Sequence, residues 1–167
     1  MQAESTLDST RAQRLSQISQ ELEIHATQIG IKNAKLTSIA GAHNEQAFLQ
    51  SIKVLDAIII DRRVSTDFPG LVDYEYKLPK MANDPSKDPT GEYRKTQDKT
   101  TYDPNVISDR KMADMSARAL EMGQDIFDRN PLIREKTIMV DNYQFRVTKD
   151  IVTNMANNAF AKTKKNN

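Results

Sequence analysis

The sequence predicts a mainly α-helical fold: a small helical bundle built on an N-terminal helical hairpin, with a Pro-rich extended middle segment and a minor β-hairpin. The first observation is an apolar stripe on alternating three- and four-residue steps, the spacing of a helix that packs along its length. The stripe consists of Leu15, Ile18, Leu22, Ile29, Leu36 and Ile39. Similar stripes follow in two later segments. Aromatic residues make up only 6% of the chain, so the core is expected to use Leu, Ile, Val, Met and Ala, a composition that suits helices.

The first predicted element is a helical hairpin over residues 6–62. Its first helix extends to Ile39 and ends at Gly41, a typical helix stop. Its second helix begins after Asn44, which can act as an N-cap, and continues to Arg62. Because the connection is short, we expect the second helix to fold back antiparallel on the first.

The next predicted element is a polar, extended excursion over residues 65–108. Five of the chain's six prolines lie here, and proline excludes regular helix and favours extended backbone before it. Residues 71–78 alternate in polarity like a short, exposed strand. Residues 81–103 are expected to form a long polar loop, which is uncommon in a compact domain unless it has a function.

The C-terminal third is predicted to contain a helix over residues 109–129, capped by Ser108, and then a β-hairpin over residues 137–147. A helix over residues 149–161 and a basic tail close the chain, and the whole of 1–167 is expected to form a single domain. A competing helical interpretation of the hairpin region rests on the spacing of Ile133, Val140, Val147 and Ile151.

Catalytic signatures are missing from the sequence. The chain has no Cys, no Gly-x-Ser-x-Gly motif and no phosphate-binding Gly-rich loop. Its formal charge of +1, from 24 basic and 23 acidic residues, argues against a dedicated DNA-binding domain. No signal peptide or membrane-spanning run is evident, so the expected location is the cytoplasm or an exported or virion assembly. We therefore expect no enzyme activity, no catalytic residues and no cofactor.

Two histidines, His25 and His43, are the only ones in the chain. They lie on either side of Gly41 and lack the spacing of metal ligands on one helix, so no metal site is expected. His25 occupies a position of the apolar stripe. If it is buried there, its titration would make the helix packing pH-sensitive.

A short segment, Pro104–Val106 followed by Met112–Met115, resembles the start of the C-terminal helix of flagellar rod subunits. The chain departs from those subunits at residues 38–42, where they carry an Asn- and Ala-rich motif ending in Gly-Tyr. The resemblance implies a subunit of a filament, rod, tail or secretion machine.

The predicted function is a non-enzymatic structural subunit or assembly factor of a larger complex, with other protein subunits as partners in a homo- or hetero-oligomer. The predicted partner interface comprises Ile24, Ile31, Tyr74, Tyr76, Tyr93 and Tyr102. A nucleic-acid-associated accessory protein is the alternative. Its anion contacts would be Arg62, Arg63, Lys162, Lys164 and Lys165. A third hypothesis is an enzyme that uses carboxylates of the polar middle segment.

Overall fold

The protein has a mixed α/β fold in the computed structural model, which describes residues 2–33, 36–81 and 89–163. Within these residues there are three helices and ten strands, and the strands form four small sheets. Side-chain contacts below involve residues 12–33, 36–80 and 91–163. The prediction of a mainly helical bundle, with a long first helix that packs along its length as in a coiled coil, is therefore wrong.

Two compact units make up the chain. One unit comprises Met1–Ile24 and Ser108–Asn167, and the other comprises His25–Ile107. We call them the terminal unit and the central unit. The single domain expected from the sequence stays a prediction. No helix in the described ranges has both the length and the apolar character needed to span a membrane.

The first helix, α1, is Gln2–Thr27, so it ends well before the predicted position. The reason is a close approach at Gly30, where a Cβ would clash with the Ile39 side chain and lie 2.8 Å from the Ala40 carbonyl oxygen. The Gly30 amide donates to Ser51 Oγ at 2.7 Å. The chain then forms β1 (Ile31–Lys32), which pairs antiparallel with β2 (Ile39–Ala40). The predicted helical hairpin is thus wrong.

The second helix, α2, is Glu45–Val54 and begins where the sequence predicts. Asn44 Oδ1 caps it by accepting from the backbone amides of Gln46 at 2.8 Å and Ala47 at 3.1 Å. It does not continue to Arg62, because Asp56 adopts a left-handed conformation with φ +53°. The β-branched residues that follow suit a strand instead.

The main sheet of the central unit has the order β3-β4-β7. Its strands are β3 (Ile58–Val64), β4 (Leu71–Lys77) and β7 (Gln97–Tyr102), and both pairings are antiparallel. The strand predicted over residues 71–78 is confirmed by β4, but its predicted exposure is wrong, because β4 is the central strand and carries much of the core. The long polar loop predicted over residues 81–103 is wrong, because this stretch contains β7 and also β6 (Pro89–Tyr93), which pairs with β5 (Pro79–Met81) in a small sheet.

The core of the central unit lies between α2 and one face of this sheet. Phe48 of α2 packs on the Tyr74 ring at 4.9 Å between centroids and edge-on to the Tyr76 ring at 5.4 Å. The buried cluster consists of Ile39, Phe48, Val72, Tyr74, Tyr76 and Leu78. This packing fixes the start of α2 over the middle of the sheet.

The terminal unit packs α3 (Asp109–Arg129) on a sheet of order β10-β9-β8. The predicted helix is confirmed, including its cap, in which Ser108 Oγ accepts from the Lys111 amide at 3.1 Å. The predicted hairpin is confirmed by β8 (Glu135–Val140) and β9 (Tyr143–Lys149). Its two turn residues both have positive φ, as a tight two-residue hairpin turn requires.

The predicted C-terminal helix is wrong, because the chain forms the strand β10 (Ala156–Lys162), paired with β9. Asp150 Oδ1 accepts from the amides of Val152 at 2.8 Å and Thr153 at 3.2 Å, and Asn154 has φ +61°. These contacts form a turn that returns the chain along β9. Ile151, Val152 and Met155 therefore lie in the turn, and Ala159 and Phe160 lie on β10.

Candidate active site

Both histidines of the chain meet in the central unit. His25 lies in the last turn of α1, and His43 lies in the loop before α2. Their ring centroids are 6.0 Å apart, and the ring planes are tilted by 55°. The histidines thus form a pair through folding, although they are distant in sequence.

The loop with His43 docks on the end of α1 through backbone contacts. The amide of Ala42 donates to the His25 carbonyl at 3.2 Å, and the amide of Asn44 donates to the Ala26 carbonyl at 3.1 Å. Gly41 makes this approach feasible: its φ is +72°, and a Cβ there would lie 3.0 Å from His25 Cε1. Glycine at this position therefore leaves room for the His25 ring.

Strand β7 fixes His43 from the other side. The amide of Tyr102 donates to the His43 carbonyl at 2.9 Å. Burial lowers the pKa of His43 well below its usual value, and the positive charges of Lys99 and His25 lower it further. His43 is therefore neutral at pH 7 and can accept a proton.

Lys99 of β7 places a positively charged ammonium group near His43. Its Nζ donates to the Ile39 carbonyl at 3.2 Å. Burial lowers the pKa of the Lys99 ammonium to about 8, so most of it stays charged at pH 7. The Ile39 amide in turn donates to Tyr76 Oη at 2.7 Å, which ties this segment to the sheet.

A second polar cluster lies at the start of α2, next to the histidine pair in sequence. Glu45 Oε2 accepts from Tyr74 Oη at 2.6 Å and from Arg62 Nη2 at 3.1 Å. Arg62 Nε also donates to Tyr74 Oη at 3.0 Å. Burial is the largest cause that raises the pKa of Tyr74 to about 12, and the Glu45 carboxylate adds to it, whereas the Arg62 guanidinium acts in the opposite direction. The Tyr74 hydroxyl therefore stays protonated.

The predicted partner-interface residues fall into two groups. Ile24, Ile31 and Tyr93 are exposed, with Ile24 in the terminal unit and the other two in the central unit. Tyr74, Tyr76 and Tyr102 are at most 2% exposed and belong to the core. His25, expected in a buried stripe, is exposed near the end of α1.

The predicted anion contacts are also divided. Arg62 and Arg63 lie on β3 of the central unit, whereas Lys162 lies on β10 of the terminal unit. Lys164 and Lys165 lie outside the described residues. Among the described residues, no three His, Cys, Asp or Glu side chains form a group that could hold a metal ion.

Two proteins with similar sequences are both named tRNA nuclease CdiA. The one from Yersinia mollaretii is 34% identical over 86 residues, which cover 51% of this chain and 3% of the relative. The one from Escherichia coli strain STEC_O31 is 30% identical over 98 residues, which cover 56% of this chain and 3% of the relative. The chain therefore matches only a small part of each relative. No family model matches it.

This similarity contradicts the prediction of a non-enzymatic structural subunit or assembly factor, because both relatives are named as nucleases. It also contradicts the prediction that the chain is not an enzyme. His43 and Lys99 are not among the site residues that the sequence predicts. The sequence signal for this site is Gly41, which predicts a helix stop and also allows the two histidines to approach each other.

Proposed function

We propose that this chain is a ribonuclease domain that cleaves RNA, with tRNA as the natural substrate class, and that His25, His43 and Lys99 form its active site. The observation that carries the proposal is the pair of imidazole rings 6.0 Å apart beside the half-buried Lys99. The two relatives named as tRNA nucleases support the choice of substrate.

RNA carries its own nucleophile, the 2′-hydroxyl, so cleavage needs a base, an acid and a cation. In the proposed reaction His43 takes the proton of the 2′-hydroxyl, and the 2′-oxygen attacks the adjacent phosphorus. The bond from phosphorus to the 5′-oxygen breaks as His25 donates a proton to that oxygen. The products are a 2′,3′-cyclic phosphate and a 5′-hydroxyl.

His43 is assigned as the base because its lowered pKa keeps it neutral at pH 7. His25 is then the acid, on the other side of a phosphate placed between the rings. An exposed position suits it, because the leaving 5′-oxygen belongs to the RNA chain that continues into solvent.

Lys99 supplies the positive charge that the transition state requires. Negative charge increases on the non-bridging phosphate oxygens during the attack, and a fixed cation in a poorly solvated place stabilises it. The Ile39 carbonyl takes one hydrogen bond of the ammonium, which leaves further donors for a phosphate.

The proposal is tested with three variants: His25→Ala, His43→Ala and Lys99→Met. Each is expected to reduce the rate of tRNA cleavage by about 10²-fold or more, since each removes one catalytic group. Lys95→Met, at an exposed lysine of the same unit, is the matched control and should cleave at the wild-type rate. Circular dichroism is used to check that every variant is folded.

The same assay includes a single-stranded DNA of matching sequence and a sample with excess EDTA. The mechanism requires the 2′-hydroxyl, so DNA should not be cleaved. Both proton transfers use histidine, so EDTA should not slow the reaction. Wild-type rates in His43→Ala or cleavage of the DNA would refute the assignment.

A further inference from the structure

We infer that Arg62 is a second phosphate contact of the same site, binding a phosphodiester next to the one that is cleaved. This inference rests on the proposed ribonuclease function. In this inference Arg62 contacts a phosphate that is present in an RNA chain but absent from a substrate with only the one scissile phosphodiester.

The register of the main sheet places Arg62 and Lys99 on the same face. Arg62 of β3 is opposite Tyr74 of β4, and Tyr74 is opposite Lys99 of β7. Directly opposed residues in antiparallel strands project to one face, and neighbouring strands are about 4.8 Å apart. The two cationic residues therefore belong to one row, with backbones about 10 Å apart.

The start of α2 links this row to the histidine pair. Glu45 is two residues after His43, and its carboxylate contacts both Tyr74 and Arg62. The side chain of Glu45 is only 12% exposed, so this anchor is nearly enclosed. Arg62 is held in one orientation by three hydrogen bonds, which reduces the entropy lost when it binds a ligand.

Arg62 keeps donors that can reach a phosphate. Its side chain is 50% exposed, and its hydrogen bonds use Nε and Nη2. The Nη1 donors remain for an anion, and guanidinium groups suit phosphate oxygens in charge and geometry. Glu45 offsets part of the positive charge, so we expect a moderate contribution to binding.

Arg63, the next residue, is the matched control. The side chain of Arg63 projects to the face of the sheet opposite to that of Arg62. On that face Arg63 contacts Asp61 at 3.3 Å and Glu75 at 3.5 Å. Arg62→Ala and Arg63→Ala remove the same charge from neighbouring positions of one strand. Only the first is expected to change the interaction with RNA.

The experiment compares cleavage of a dinucleoside monophosphate, which has one phosphate, with cleavage of a single-stranded RNA of about ten nucleotides. Arg62→Ala should raise KM for the longer RNA by about 3- to 10-fold, a clearly larger factor than its effect on KM for the dinucleoside monophosphate. The slope of log KM against log salt should fall by about 0.7, the loss of one phosphate contact on a single strand. Arg62→Lys keeps the positive charge, so its slope of log KM against log salt should stay close to that of wild type.

Binding of a 2′-deoxy oligonucleotide, measured by fluorescence anisotropy, separates this inference from the proposed function. Weaker binding by Arg62→Ala than by Arg63→Ala supports the contact even if wild type fails to cleave RNA. Equal effects of the two variants would overturn the inference. So would an equal loss on both substrates, because that pattern indicates a structural role for the Glu45 network.

Discussion

At the scale of residues, Lys99 shows how the proposed chemistry conflicts with stability. A charged ammonium loses hydration when it is buried, and the lowered pKa of about 8 records that cost. A methionine of similar length would suit the same surroundings better if only folding mattered. Strongly shifted groups of this kind are typical of functional sites.

Lys99→Met is therefore expected to raise the free energy of unfolding at pH 7 by on the order of 1 kcal/mol, while it lowers the cleavage rate by about 10²-fold or more. The unfolded lysine has a pKa of about 10.4, so the unfolded state binds more protons between pH 8 and about 10.4. Wild-type stability rises relative to the variant across this window. The difference in the free energy of unfolding between Lys99→Met and wild type is therefore largest below pH 8 and disappears towards pH 10.4.

Urea unfolding at pH 7 and pH 10 measures this difference, with Lys95→Met as the control that should match wild type at both values. A destabilised Lys99→Met at pH 7 would mean that the ammonium contributes more to folding through the Ile39 carbonyl than its burial costs. That result would remove the argument that Lys99 is retained for function.

At the scale of elements, the sequence predicts α3 and the β8–β9 hairpin because their signals are local. The Ser108 cap and the two turn residues with positive φ act within a few residues of themselves. The end of α1 and the strands β3 and β10 do not have such local signals. The close packing at Gly30 joins distant residues, and an apolar spacing of three and four can also occur in residues that form strands.

Gly30→Ala tests whether this packing determines the end of α1. The added methyl group would clash with Ile39 and approach the Ala40 carbonyl oxygen to 2.8 Å, so we expect a loss of about 1–3 kcal/mol. Gly91→Ala is the comparison: its φ is +87°, but nothing lies within 4 Å of a Cβ there, so only the conformational cost of about 1 kcal/mol is expected. Urea midpoints measure both. A Gly30→Ala protein as stable as wild type would contradict the packing argument.

At the scale of the whole molecule, all three proposed catalytic residues belong to the central unit, residues 25–107. The net charge of +1 gave no indication of RNA binding, because it averages over the chain. The relevant charges are local, at Lys99 and Arg62. The site could not be predicted from the sequence, since His25, His43 and Lys99 come from a helix end, a loop and a strand that only the fold brings together.

The chemical ends of the products test the central claim most directly. Wild-type protein is incubated with a short single-stranded RNA, and the masses of the fragments are measured by mass spectrometry. Attack by the 2′-hydroxyl between His43 and His25 predicts fragments with a 2′,3′-cyclic phosphate and a 5′-hydroxyl. Fragments with a 3′-hydroxyl and a 5′-phosphate would show that water is the nucleophile, and they would contradict the proposed active site.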